Sequence, residues 1–99
     1  MKAYFLFTSG GPLVILTSYK SIEHPDLLKR LKAKGIGKFV AFEVSIESVK
    51  SKYGDHFDVV KEDLHQTDDL RVLDYNGERA FKKFKFNEFI TPIYHEVAE

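Results

Sequence analysis

The sequence predicts a single α+β domain over residues 1–99, with a largely antiparallel sheet of five to six strands in the order ββαβαβββ and two helices packed on one face. Three observations carry that expectation. Two nearly continuous apolar runs, 2–8 and 13–19, precede the first helical pattern. Two punctuated helical segments follow, and the chain closes with several short strand-like runs rather than the alternation of a doubly wound parallel sheet. The composition, 43% hydrophobic and 30% charged over 99 residues, fits one globular domain with a modest core.

Residues 2–8 and 13–19 are rich in Phe, Tyr, Val, Ile and Leu, which suits strands buried on both faces or central in the sheet. Ser9-Gly10-Gly11-Pro12 joins them as a hairpin turn, and Pro12, lacking an N–H, is expected outside any central ladder. The same glycines lack the spacing and the Lys-Ser/Thr of a phosphate-binding loop, and a strand follows them instead of a helix.

Residues 24–35 predict a helix. Pro25 suits the first helical position, Asp26 complements the positive end of the dipole, and Gly35 supplies the cap beyond a lysine-rich last turn. Leu27, Leu28 and Leu31 make its apolar stripe, leaving Lys29, Arg30, Lys32 and Lys34 for solvent. The run 39–44 is a third strand. Ser45 then makes an N-cap for a short helix with Ile46, Val49 and Tyr53 on one face and Gly54 at its end.

Residues 57–61 read as a strand and 62–69 as a polar connection. Asn76-Gly77 lies between two alternating runs, 70–75 and 78–86, and predicts a β-hairpin with a type I′ turn. The second arm interleaves rings with cations, and a bulge at Lys82-Lys83 brings Phe81, Phe84 and Phe86 to one side. Beyond residue 87 the chain reads as a tail packed on the core, interrupted by Pro92 and fraying from about residue 95.

Several functions are excluded by composition. The chain has no cysteine, so it carries no disulfide, thiolate nucleophile or Cys-based metal site. No run reaches the roughly 18 apolar residues of a membrane helix, and the apolar N-terminal run ends too early for a secretion signal. A cytoplasmic location is expected, with no membrane partner. No serine sits in a nucleophile elbow, and no pattern for a cofactor or small-molecule ligand is present.

Three patterns remain. The segment 55–69 concentrates carboxylates around two histidines, and His56, Asp58, His65, Asp68 and Asp69 are candidate metal ligands, although their spacing matches neither H-E-x-x-H nor an EF-hand loop. Arg30, Lys32 and Lys34, with Arg79, Lys83 and Lys85 on the ring-and-cation arm, are candidate contacts to a protein partner or to single-stranded nucleic acid. A protein partner is expected rather than nucleic acid, because the formal net charge is zero. Lys/Arg outnumber Asp/Glu nine to four over residues 1–54, and the order reverses, six to eleven, over 55–99. Such segregation favours a bipolar surface or self-association. The sequence therefore predicts a binding or regulatory domain acting through protein contact or homodimerisation. A metal-dependent protein or enzyme using 55–69 is the alternative, and nucleic-acid binding through 26–34 and 79–86 is the second.

Overall fold

In the computed structural model, which describes residues 1–84 and the backbone of 89–96, the two N-terminal apolar runs form β1 (Lys2–Thr8) and β2 (Gly11–Thr17). Alternate residues of β1 face opposite sides, and both sets are apolar, so two cores form. Ala3 and Phe5 pack with Val14 and Leu16 on one side; Tyr4 and Leu6 pack with Ile15 on the other. The remaining elements are α1 (Pro25–Ala33), β3 (Lys38–Val44), α2 (Ile46–Tyr53), α3 (Asp55–Asp63), a 3-10 turn (Leu64–Thr67), β4 (Leu70–Asp74), α4 (Gly77–Lys83) and β5 (Phe89–Glu96). The sheet order is β4-β2-β1-β3-β5, with every neighbouring pair antiparallel. The molecule is a single α+β domain, as the order of apolar runs and helical segments predicts. Among the described residues no helix is long and apolar enough to cross a membrane.

The helices do not share one face, contrary to expectation. Leu27 and Leu31 of α1 join the Tyr4–Leu6 core, whereas Val49 of α2, Phe57 and Val60 of α3, and Ala80 of α4 join the Phe5–Leu16 core. The reason lies in β1 and β2, which are apolar on both sides and leave water-exposed surface unless each side is covered.

Local chemistry fixes the helix ends. The His24 Nδ1 accepts the Asp26 N–H at 3.2 Å, and Gly35, at φ 85°, lets the Ile36 N–H reach back to the Leu31 carbonyl at 2.9 Å. The Ser45 Oγ accepts the Ser48 N–H at 3.1 Å. Ser45→Ala is expected to lower unfolding free energy by about 1 kcal/mol, read from urea denaturation, because one orphan N–H loses its partner.

Four of the six expected strands are present, over 2–8, 13–19, 39–44 and 70–75, with β2 beginning two residues early. The expected strand 57–61 is the helix α3. Phe57, Val60 and Leu64 repeat at helical spacing and are buried, while Asp58, Val59, Lys61 and Glu62 are exposed. The expected hairpin arm 78–86 is α4 up to Lys83, and Asn76 is its N-cap: the side-chain Oδ1 accepts the Arg79 N–H at 2.9 Å, with Asn76 at φ −84° rather than a positive turn angle. No bulge at Lys82-Lys83 is then needed, because Ala80 and Phe84 stand four residues apart on the buried side. Phe81 is 56% exposed, its ring 6.2 Å from Phe7, and Phe86 and Lys85 lie outside the described residues.

Pro12 sits inside β2 opposite Phe7, where it was expected outside the ladder. β2 pairs with β4 only from Val14 onward, so the missing N–H of Pro12 breaks no bond on that side. Where a tail was expected, 89–96 forms β5, and Pro92 is accommodated because β5 is an edge strand. Positions 97–99, where the expected fraying falls for the most part, lie outside the described residues.

Candidate functional site

A β-bulge builds the most organised polar cluster among the described residues. Val14 pairs with Asp74 and Ile15 with Val72, which leaves Leu73 as an extra residue. The bulge turns both Leu73 and Asp74 toward α2 and α4: Leu73 enters the Phe5–Leu16 core and Asp74 meets Tyr53 and Arg79. The His56 Nε2 lies 2.9 Å from the Leu73 carbonyl, so it carries the proton that this acceptor requires. Gly54, at φ 56°, makes the sharp α2–α3 corner that brings His56 beside Tyr53.

The Asp74 side chain is 0% exposed. Its Oδ2 accepts the Tyr53 hydroxyl at 2.8 Å and the Arg79 Nε–H at 3.3 Å, while Oδ1 accepts the Arg79 Nη2–H at 2.7 Å and the Asn76 N–H at 2.9 Å. Burial pushes the Asp74 carboxyl up, but the hydrogen bonds from Arg79, Tyr53 and the Asn76 N–H outweigh it and hold the group below the usual carboxylate range. Burial first, and then the hydrogen bond to Asp74, push the Tyr53 hydroxyl far above the usual phenol value, so it stays a donor.

Over this cluster lies an open cleft of about 350 Å³ lined by Lys52, Tyr53, His56, Arg79 and Lys83. It adjoins a second hollow of about 390 Å³ along α4, lined by Asn76, Glu78, Arg79, Lys82 and Lys83. The Lys83 Nζ lies 5.2 Å from the Tyr53 ring centre and donates to the Lys52 carbonyl at 3.3 Å, and the Lys52 Nζ lies 5.2 Å from the Phe84 ring centre. Ring faces attract these ammonium groups and narrow where they can go.

The residues singled out in the sequence separate in space. Arg79 and Lys83 share the cleft, but Arg30 and Lys32 on α1 and Lys34 at its C-cap lie across the sheet. Arg30 is also engaged, with its Nε–H on the Tyr19 hydroxyl at 3.0 Å and its Nη1 3.2 Å from Asp68. Lys85 lies outside the described residues. Of the metal candidates, His65 and Asp69 meet at 2.8 Å, Asp68 turns to Arg30, Asp58 is exposed on α3, and His56 is held by Leu73. Hydrogen bonds from Ser18 and His65 hold Asp69 below the usual carboxylate range. Among the described residues no group of three or more His, Cys, Asp or Glu is placed to hold a metal ion. Sequence reasoning missed Asp74, Tyr53 and Lys52.

A larger hollow of about 530 Å³ lies between the β1–β2 turn and the end of α1, with Lys34, Ile36, Leu13, Val72 and the 76% exposed Tyr75 in its lining. No family model, curated protein or solved structure matches this chain, so its functional reading rests on the geometry of these sites.

Proposed function

We propose that this chain is a non-catalytic binding domain acting through protein contact, and that the cleft between α2 and α4 receives an acidic group of the partner. The observation that carries the reading is the cleft lining, which holds Lys52, Arg79 and Lys83 and, among the described residues, no carboxylate, the Asp74 paired with Arg79 being too deeply buried to meet a ligand. A cationic concavity raises the local concentration of anionic partners and orients them. Catalysis is disfavoured by the same cluster. A general acid or base works best with a pKa near the operating pH, whereas Asp74 is shifted down and Tyr53 up, both away from neutrality. The cysteine-free sequence supports a reducing, cytoplasmic setting.

The test is an amide-resolved titration of the full chain with an oligoglutamate peptide and with an oligolysine control of equal length. Shifts are expected at Lys52, Tyr53, His56, Arg79 and Lys83 for the acidic peptide alone. Lys83→Glu should weaken that binding about tenfold or more while the amide spectrum stays native, because it reverses a charge at the partly exposed edge of the cleft, although loss of the Lys52 carbonyl and Tyr53 ring contacts lowers the melting temperature by a few degrees. Equal response to both peptides, or shifts confined to other surfaces, would remove the cleft from the reading. A concentration-dependent sedimentation coefficient without peptide would instead point to a second copy as the partner.

A further inference from the structure

Resting on the reading of this cleft as a partner site, we infer that the acidic group is a phosphate monoester borne by a side chain of the partner protein. Arg79 supplies the first reason. A guanidinium offers two bidentate edges, and Asp74 takes the Nε–Nη2 edge at 3.3 and 2.7 Å. The Nη1–Nη2 edge faces outward on a side chain that is 59% exposed, and no described residue occupies it. Asp74 is itself held by Tyr53 and the Asn76 N–H, so the outward fork is fixed before any ligand arrives. Such a fork matches two oxygens of a phosphate, and prior fixing reduces the ordering cost of binding.

Charge is the second reason. Among the described residues, the cleft and the hollow beside it present Arg79, Lys82 and Lys83 against one exposed carboxylate, Glu78. Glu78 pairs with Lys82 at 3.4 Å between side chains that are both largely exposed, a contact too weak to withhold that lysine. One carboxylate carries a single charge, whereas a phosphate monoester carries about −1.5 to −2 at neutral pH and three acceptor oxygens. Arg79, Lys82 and Lys83 fall within five consecutive residues and can share those oxygens. The shape of the site supplies the third reason. The concavity is shallow and open along α4, which suits a group displayed on a macromolecular surface better than a metabolite that must be enclosed.

The experiment measures affinities of the full chain for three peptide libraries with identical degenerate flanks and a central Ser, Glu or phosphoserine, together with inorganic phosphate and a single-stranded oligonucleotide. The phosphoserine library should bind about tenfold or more tightly than the Glu library, and Arg79→Lys, which keeps the charge and loses the fork, should abolish most of that preference. Lys83→Gln is the companion variant, expected to weaken phosphopeptide binding severalfold while the amide spectrum stays native. Equal binding of the Glu and phosphoserine libraries overturns the phosphate inference and leaves the acidic-partner reading intact. Failure of both libraries overturns both. Inorganic phosphate binding as tightly as the phosphopeptides overturns the protein-borne source, and so does tighter binding of the oligonucleotide.

Discussion

Asp74→Ala is expected to cost the folded state about 2–4 kcal/mol, measured by urea unfolding at pH 7. The substitution removes a fully buried carboxylate that serves three partners at once, Tyr53, Arg79 and the Asn76 N–H. An unsatisfied buried donor costs about 1–3 kcal/mol, and breaking a buried ion pair about 3–5 kcal/mol. Arg79 is more than half exposed and regains water when the pair is lost, which places the sum toward the lower part of that range. The acid limb of stability should change as well. The carboxyl of Asp74 titrates below the ordinary value in the folded chain, so its contribution is complete above that ordinary value, about 3.9, and is lost as pH falls through the folded value. Asp74→Asn keeps the shape and removes the charge, so its stability should be flatter with pH below about 4 than that of the parent chain. An unchanged acid limb would show that Asp74 is not the group that couples protonation to unfolding. Tyr53 acts at the opposite end. Its raised value adds stability below about pH 10, and that stability is lost as alkaline pH approaches the folded value.

This cluster was not legible in the sequence, for physical reasons. Tyr53 and Asp74 are 21 residues apart, and their contact exists because the chain inserts one residue, Leu73, into the β2–β4 ladder. Regular alternation would leave Asp74 on the α1 side, away from both Tyr53 and Arg79. Other features were legible. The paired apolar runs announce β1 and β2, and Pro25, Ser45, Gly35 and Gly54 mark helix ends that the structure reproduces. The error at Asn76-Gly77 came from chemistry that serves two structures equally well. Asn accepts the positive φ of a hairpin turn, and it also caps a helix through its side chain. The neighbouring residues decide between them: Glu78 and Lys82 pair four apart, and Ala80 and Phe84 repeat at the same interval. That helical period accounts for the ring-and-cation stretch up to Phe84 without a bulge. The same test, applied to Phe57, Val60 and Leu64, separates α3 from the strand expected there.

Gly77→Ala is expected to destabilise the fold by about 1–2 kcal/mol, although alanine is the better helix former. A Cβ built at position 77 would lie 2.7 Å from both the carbonyl oxygen and Cδ of Pro12 and 2.8 Å from its Cγ. Relieving such overlap costs about 1–3 kcal/mol, and the gain from replacing glycine in a helix, up to about 1 kcal/mol, offsets part of it. The carbonyl belongs to β2 and cannot move without disturbing the pair with Phe7, so α4 must lift instead. Lifting α4 withdraws Arg79 from Asp74 and loosens the cleft. A double-mutant cycle with Pro12→Ala provides the decisive measurement. Removing the ring relieves the Cδ and Cγ contacts while leaving the carbonyl, so partial rescue and a coupling of about 0.5–1.5 kcal/mol are expected. A turn glycine held at positive φ would also resist alanine, but its cost would not depend on Pro12. Coupling therefore distinguishes a helix seated on β2 from a hairpin turn at the same two residues, and it reports whether the seat that orients Arg79 is intact.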